Sequence, residues 1–374
     1  MLNMHKKLMT VLTSMIVVLN LTACSNDDAS SIVKKTSTVT TTVTTTVKNA
    51  ETSATTTTAK KKETKKSSSG LNLLTGLNDL SANAKGKRPV AIMVNNIDAS
   101  MPQYGISKAD VMFEFPVEGG ITRLMALYSD YTKVPDVCSV RSARYYFAYF
   151  AQSFDAVYLH WGIDKKIAQD KLDELKIDHI DGNSGSQLFK RDPQRLNSYS
   201  LEHTGYCDGS LIPQELENAG IRTTLKNGYN TSAFSFYDKF SSVSKETAKN
   251  INVRFSDYYN SSFSYNDKQK KYSKMRNGTK HIDASDGKQL EYTNVIVLES
   301  KEIKVVNNDN GLLSLDWTGG NGYCFSGGTA KKIKWKKNGE FGKLVLTDES
   351  GKTLKLNKGK TYIGVTKSGT VSFS

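Results

Sequence analysis

The stretch that decides the fold reads ADVMFEFPVEGGITRLMALYSDYTKVPDVCSVRSAR and spans residues 109–144. Its first part, residues 109–117, is apolar apart from Asp110 and Glu114, which is typical of a strand buried on both faces. Glu114 is an anomaly in such a strand, because a buried carboxylate needs a partner.

A second strand is predicted at residues 121–129, directly after a double glycine that favours a tight turn. Side chains alternate along a strand, so Glu118 should project to the same side as Glu114, while Arg123 lies just past the turn. Acid and base are therefore expected to meet at one end of a sheet. Glu118 and Arg123 are either a structural ion pair across the turn or part of a binding site.

The motif SVRSAR, residues 139–144, precedes the aromatic run YYFAYFAQSF. This run predicts a mostly buried helix over about residues 142–153, with Ser139 or Ser142 as its N-cap.

Arg141 and Arg144 would then lie near the helix N-terminus, where the helix dipole disfavours cations. Two arrangements relieve this conflict. In one, the arginines face a carboxylate such as Glu114 or Glu118; in the other, they hold a phosphate or carboxylate ligand, since a guanidinium binds either in bidentate geometry.

Five motifs together are similar to those of the YerB-like bacterial lipoproteins, a family whose domain has no known function. They are RPVAIMVNN (88–96), ADVMFEFPVEGGITR (109–123), SVRSAR (139–144), DAVYLHWG (155–162) and YTNVIVLES (292–300). The resemblance covers the chain from about Leu71 to the C-terminus. It implies an extracytoplasmic protein with an α/β N-terminal domain and a β-rich C-terminal domain, and it implies no reaction and no catalytic residues.

Residues 1–23 have the pattern of a lipoprotein signal peptide. A basic segment at residues 5–7 precedes a short apolar stretch at 8–21, and small residues lead to Cys24. Cys24 is expected to become the lipidated first residue, and acyl chains such as palmitate would anchor it at ~0.8 kcal/mol per buried CH₂. The alternative is a plain cleaved signal peptide followed by an incidental cysteine. The lipoprotein interpretation places the protein on the outer face of the cell membrane.

Residues 24–69 are rich in Thr, Ser and Lys and predict a disordered tether. The chain carries a formal net charge of +14. For an extracytoplasmic protein this charge favours anionic lipid headgroups or an anionic wall polymer as partner, with peptidoglycan or an envelope protein as further candidates. Nucleic acid is not expected, because the predicted location makes it inaccessible. A generic solvated surface is the alternative explanation of the charge.

The sequence predicts no metal site and no cofactor. Three cysteines besides Cys24 remain, Cys138, Cys207 and Cys324, and they show no metal-ligand spacing. They are expected to be buried thiols, and a disulfide between two of them stays open. Nucleotide-binding glycine motifs and local nucleophile motifs do not occur in the sequence.

Two domains are predicted. Residues 70–232 read as an α/β domain with a mixed sheet and helices, in which strands at 88–96 and 156–160 alternate with an amphipathic helix at 165–177. Residues 233–374 consist of short alternating runs separated by turn signals, which indicates a β-rich antiparallel domain.

Two histidines are further site candidates. His160 ends its strand at the edge where ligands collect in α/β sheets, although a lone histidine is more often structural. Residues 178–200 read as a long irregular loop, and Glu202 and His203 follow it. The two could form an acid–base pair, but adjacent side chains point in different directions, so their adjacency is weak evidence for one.

The function that these patterns favour is a non-catalytic binding or assembly factor at the cell envelope, which holds an anionic ligand or partner. The alternative is an envelope hydrolase or transferase that uses Glu118 or Glu114 with His160 or His203. A solute receptor is disfavoured, since the second domain does not repeat an α/β lobe. The candidate ligand-binding residues are Glu114, Glu118, Arg123, Arg141, Arg144, His160 and His203.

Overall fold

A computed structural model describes residues 70–230, 233–306 and 310–374 of the 374-residue chain. The predictions for the signal peptide, for lipidation at Cys24 and for the tether lie outside the described residues. No helix within the described ranges is long and apolar enough to span a bilayer.

The first half, as described over residues 70–230, contains eight strands and three α-helices. They are β1 (Val90–Asn95), β2 (Val111–Pro116), β3 (Thr122–Tyr128), β4 (Val137–Cys138), α1 (Tyr145–Gln152), β5 (Val157–His160), α2 (Ala168–Glu174), β6 (His179–Asp181), β7 (Phe189–Arg191), β8 (Gly205–Cys207) and α3 (Ile212–Asn218). Short 3₁₀ helices cover Ala82–Ala84, Asp98–Ser100, Ile106–Lys108, Glu118–Gly120, Leu201–His203 and Gly209–Leu211.

Within residues 233–306 and 310–374, the second half contains strands and no helix. They are β9 (Ser235–Phe236), β10 (Glu246–Thr247), β11 (Asn250–Arg254), β12 (Asn260–Asn266), β13 (Lys271–Arg276), β14 (Thr279–Lys280), β15 (Ile282–Asp283), β16 (Lys288–Gln289), β17 (Glu291–Tyr292), β18 (Asn294–Ser300), β19 (Ile303–Val305), β20 (Leu313–Leu315), β21 (Gly319–Ser326), β22 (Thr329–Lys337), β23 (Leu344–Asp348), β24 (Lys355–Leu356), β25 (Thr361–Lys367) and β26 (Val371–Phe373).

An eleven-stranded mixed sheet runs through both halves in the order β10-β22-β21-β18-β25-β2-β3-β1-β5-β6, with β23 paired to β22. β2 pairs antiparallel with β3, so that Glu114 stands opposite Leu124 and Phe115 opposite Arg123. On its other side β2 pairs parallel with β25, a strand from near the C-terminus. The predicted fold class is confirmed, and strands from before and after residue 233 share one sheet.

The second large sheet has the order β14-β13-β12-β11-β26, with β17 paired to β13. Its strand pairs are all antiparallel, and β11 alternates exposed and buried residues as a half-solvated sheet should. A smaller three-stranded sheet joins β4, β8 and β7.

The two faces of the main sheet are covered differently. Phe113 and Phe115 of β2 pack against α1, where the ring centroids of Phe115 and Phe147 lie 4.4 Å apart. Met112, which points to the opposite face, belongs to a second apolar cluster with Phe263 of the second sheet. Since β2 alternates, Glu114 must also face the second sheet, and this placement decides its partners.

Helix α1 is wholly buried, as predicted, but the predicted N-caps are wrong. Arg144 is the N-cap residue, and no side chain caps the helix. Residues 139–143 are not helical, and within them Val140 pairs with Val94 and Ala143 with Ile163 in isolated bridges.

The prediction of one irregular loop over residues 178–200 is also wrong. This segment contributes β6 to the edge of the main sheet, parallel to β5, and β7 to the three-stranded sheet. Strands of three residues are too short to show a period in the sequence.

Candidate functional site

Two arginines converge on one carboxylate at the end of the β2–β3 hairpin, and a third lies near them. Arg123 Nη2 donates to Glu118 Oε1 at 2.8 Å, and Arg144 Nε donates to Glu118 Oε2 at 3.0 Å. Arg144 Nη2 also contacts Glu118 Oε1. Arg141 is the third cation, and Arg123, Arg141 and Arg144 together are called the arginine cluster below. Glu118 and Arg123 therefore form the predicted ion pair across the turn.

The electrostatics show an excess of positive charge around Arg123. The pKa of Arg123 is lowered to about 10, chiefly by burial and then by the charge of Arg144. Glu118 partly compensates, and Arg141 adds to the lowering. Burial disfavours the charged form of Glu118, yet Arg123 and Arg144 outweigh burial and lower the pKa of that carboxyl. One carboxylate thus neutralises two buried guanidinium groups.

Arg141 extends the cluster toward the surface. Its Nη2 donates to Glu202 Oε2 at 2.9 Å, and both side chains are at least partly exposed. Three buried polar atoms in this region have no hydrogen-bond partner among the described residues: Arg123 Nε, Arg141 Nε and Ser139 Oγ. Unpaired buried donors are costly, and an additional acceptor would satisfy them.

His203 lies beside this surface. Its Nδ1 is 3.1 Å from Asn95 Nδ2 at the end of β1, and its Nε2 is 3.6 Å from Glu202 Oε1. Burial lowers the pKa of His203, Glu202 raises it, and Arg141 lowers it again. The structure therefore brings His203 and Arg141 to the same acid, Glu202, but it keeps the imidazole buried.

Glu114 belongs to a separate, fully enclosed network between the two sheets. Lys274 Nζ lies 3.2 Å from Glu114 Oε2, and both side chains are buried. The carboxylate also accepts hydrogen bonds from four neutral side chains: Asn96, Thr122, Ser261 and Tyr362. Burial opposes ionisation of Glu114, but Lys274 and these donors outweigh it and lower its pKa.

The network continues beyond Lys274. Lys274 Nζ is 3.2 Å from His281 Nδ1, and His281 Nε2 is 2.8 Å from Gln103 Oε1. Burial lowers the pKa of Lys274, and Glu114 counteracts this lowering. The pair is ionised, because the Glu114 carboxylate accepts four further hydrogen bonds. Sequence reasoning missed Lys274, although it stands at a buried position of the alternating strand β13.

His160 is sealed in the main sheet at the C-terminal end of β5. Its Nε2 is 2.9 Å from His179 Nδ1, and its Nδ1 is 2.9 Å from the Gly162 carbonyl oxygen. The pKa of His160 is lowered to about 4, chiefly by burial and then by His179, while Asp181 opposes both. A neutral, fully buried imidazole fits a structural role.

The candidate residues thus occupy three places. Glu118, Arg123, Arg144, Arg141 and His203 lie around the SVRSAR segment, whereas Glu114 and His160 belong to separate buried networks. None of the seven lines any of the five best-defined cavities in the described part of the chain.

The described cysteines Cys138, Cys207 and Cys324 are free and buried, as expected for thiols that act as small apolar side chains. Burial raises the pKa of all three thiols. Among the described residues, no group of three or more His, Cys, Asp or Glu side chains is arranged to hold a metal ion.

The protein has two parts, a mixed sheet and an antiparallel partner sheet, with a charged cluster at the end of the β2–β3 hairpin. These features define a protein of the DUF3048 class. The chain belongs to this family of proteins of unknown function: residues 74–222 match its N-terminal domain and residues 251–363 its C-terminal domain.

Two comparisons identify a particular relative. The chain is 29% identical over 302 residues to a Bacillus subtilis (strain 168) protein named "Putative lipoprotein YerB", covering 78% of this chain and 85% of that protein. The crystal structure of YerB from Bacillus subtilis matches with a TM-score of 0.70 and 27% identity, covering 81% of this chain and 99% of the YerB chain. The family resemblance stated from the sequence is confirmed.

Proposed function

We propose that the protein is a lipoprotein anchored through Cys24 to the outer face of the cell membrane, and that it is a non-catalytic binding or assembly factor. Its arginine cluster holds an anionic ligand, with a phosphate- or carboxylate-bearing wall polymer as the first choice. Similarity to a protein named as a lipoprotein supports the anchor.

The observation that carries the ligand proposal is the imbalance around Arg123. Two buried guanidinium groups share Glu118, a third belongs to Arg141, and the Nε–H groups of Arg123 and Arg141 have no described partner. A bound anion would neutralise the excess charge and accept hydrogen bonds from these groups. The same anion would raise the pKa of Arg123.

The shape of the site favours a polymer over a small enclosed molecule. The arginine cluster lies outside the five best-defined cavities of the described residues, and Glu118, Arg141 and Glu202 are all partly or largely exposed. A shallow site of this kind gains affinity from repeated anionic groups rather than from enclosure.

The pairing of the candidate acids and bases supports a binding role over an enzymatic one. Glu114 is tied to Lys274, Glu118 to two arginines, and His160 to His179. A general acid or base must reach a substrate proton and carry a pKa suited to the transfer. Arginines lower the pKa of Glu118, the one partly exposed acid among them, so it is a poor proton donor near neutral pH.

The test compares Arg141→Gln with Arg254→Gln. Both arginines make one surface ion pair, with Glu202 and Asp257 respectively, but Arg254 lies outside the arginine cluster. Binding of the mature chain to purified wall fragments is measured at several salt concentrations, with the phosphate-bearing polymers present or removed. Arg141→Gln should weaken binding about tenfold, the value of one charge-assisted hydrogen bond.

Arg254→Gln should bind as the unchanged protein does, and binding should fall with salt. Equal loss in the two variants, or undiminished binding to fragments stripped of anionic polymer, would contradict the polymer proposal. If a crosslinked envelope protein is lost from Arg141→Gln instead, the partner is a protein. Cys24→Ser should release the protein from the membrane fraction.

A further inference from the structure

A cavity of about 320 Å³ lies apart from the arginine cluster, at the start of the described chain. The segment 71–87 forms one wall, the end of helix α1 and the following residues form another, and residues 225–230 close it. This volume is at the lower end of the ~300–1,000 Å³ range of pockets that bind small molecules.

The interior of this cavity is mainly hydrocarbon. Its apolar lining includes Leu71, Leu73, Leu74, Leu80, Phe154 and Leu225. Leu74, Leu80 and Phe154 are buried in the protein, whereas Leu71 is about half exposed and opens one side to solvent. An alkyl chain that enters here would be removed from water at ~25 cal/mol per Å² of buried apolar surface.

Three lysines also line the cavity: Lys85, Lys87 and Lys343. No aspartate or glutamate is among the described residues that line it. Lys87 Nζ is 3.3 Å from Thr223 Oγ1, and Lys343 lies over the ring of Tyr229 at 5.1 Å, so neither is neutralised by an acid there. Cations without acids at an apolar pocket complement an anionic group.

Ser153 provides a second, independent indication of a ligand. It lines the cavity and is 97% buried, and its Oγ has no hydrogen-bond partner among the described residues. Buried hydroxyl groups are almost always hydrogen-bonded, so an unsatisfied one at a cavity wall indicates a missing acceptor or donor.

We propose that this cavity binds a single-chain anionic amphiphile, with its hydrocarbon chain among the leucines and its phosphate or carboxylate headgroup against Lys85, Lys87 and Lys343. The small volume excludes the two chains of a whole phospholipid. The interaction does not depend on the arginine cluster. A protein anchored to a membrane, as proposed above, would meet such amphiphiles at the bilayer surface.

The experiment is isothermal titration calorimetry on the mature chain, residues 24–374, produced without lipid. The probes are dodecyl phosphate, dodecanoate, dodecanol, dodecyltrimethylammonium and inorganic phosphate, all as monomers at low salt. Dodecyl phosphate and dodecanoate should bind, and comparing them shows whether a phosphate or a carboxylate headgroup is preferred. Dodecanol should bind about tenfold more weakly, and the cationic amphiphile and inorganic phosphate should show no binding.

Two lysine double variants form the matched comparison. K85Q/K87Q should raise the Kd of dodecyl phosphate about tenfold, because two partly exposed ion pairs are removed. K245Q/K268Q removes two exposed lysines away from the cavity and should leave the Kd unchanged. Arg141→Gln should also leave it unchanged, which separates this proposal from the function proposed above.

Two further variants change the cavity itself. Ala84 is a buried lining residue, so Ala84→Leu should fill the cavity and abolish binding of every amphiphile. Leu71→Asp places a negative charge at a half-exposed position, where the fold tolerates it, and should weaken dodecyl phosphate more than dodecanol. The proposal is overturned if no amphiphile binds, if dodecanol binds as tightly as dodecyl phosphate, or if K245Q/K268Q weakens binding as much as K85Q/K87Q.

Discussion

The buried Glu114–Lys274 pair allows a sharp test of the electrostatics inside the fold. Lys274→Met keeps most of the side-chain volume and removes the charge that lies 3.2 Å from the Glu114 carboxylate. Glu114 then keeps only its neutral donors. A buried charge that loses its partner is strongly destabilising, whereas removal of both partners is often close to neutral.

The magnitude follows from two competing costs. At 3.2 Å the lost attraction is about 5 kcal/mol for an effective dielectric constant of about 20. Glu114 can instead take up a proton, and from its ordinary pKa of 4.5 this costs about 3.4 kcal/mol at pH 7, at 1.36 kcal/mol per pH unit. Protonation is the cheaper route, so Lys274→Met should lose about 3.4 kcal/mol at pH 7.

The pH dependence has a definite sign. In Lys274→Met the folded-state pKa of Glu114 lies above the unfolded value, so stability is present at low pH and is lost as the pH rises. The deficit against the unchanged protein should shrink to about 0.7 kcal/mol at pH 5. In the unchanged protein the pKa of Glu114 is lowered, so its contribution is present above pH 4.5 and is lost as the pH falls.

The assay is urea unfolding at pH 5, 6 and 7, followed by tryptophan fluorescence. The double variant E114Q/K274M should recover most of the loss at pH 7. Lys249→Met, which breaks an exposed pair with Asp267, should cost less than about 1 kcal/mol at every pH. A deficit of Lys274→Met that is the same at pH 5 and pH 7, or a double variant no more stable than the single one, would refute the reasoning.

Two further predictions concern the fold around the site. His160 has a pKa of about 4 in the folded protein, against an ordinary value of 6.5. The stability that depends on its neutral form is therefore fully present above pH 6.5 and is lost as the pH falls toward 4. The total loss in the free energy of unfolding is about 3 kcal/mol. His160→Gln should flatten the dependence of the melting temperature on pH over this range, and an unchanged slope would show that other groups cause it. Gly105→Ala should cost well above 2 kcal/mol in urea unfolding, because a Cβ would lie 2.1 Å from the Asp136 carbonyl oxygen at φ +83°. Gly119→Ala, at φ +71° in open space, should cost only about 1 kcal/mol, and equal losses would contradict the steric argument.

Local features of the fold were predictable because they rest on neighbouring residues. The apolar runs at 88–96, 109–117 and 121–129 predict β1, β2 and β3 to within two residues at each end. About a dozen consecutive residues are enough to show the hydrophobic period of a strand or a helix. The turn between β2 and β3 is indicated by its two glycines.

Partners that come from distant segments could not be predicted. Nothing near Glu114 in the sequence indicates Lys274 or Tyr362, which reach it only because β25 pairs with β2 and the second sheet covers that face. In the same way, His179 meets His160 because β6 lies beside β5. Glu118, by contrast, forms an ion pair with Arg123 within the same hairpin, and the sequence of the turn was enough to predict this pair.

The position of β25 has a consequence for how the arginine cluster is held. β2 carries Glu114 and leads directly into the turn with Glu118, and it is fixed on one side by β3 and on the other by β25. Glu114 further joins β2 to Ser261 and Lys274 of the second sheet, so buried charges connect both halves of the chain at this strand. Arg123 meets Glu118 only if the β2–β3 register is kept, since a shift by one residue would turn Glu114 and Arg123 to the opposite faces. The C-terminal half therefore positions the arginine cluster without contributing an arginine to it, and binding experiments on this site require the whole chain.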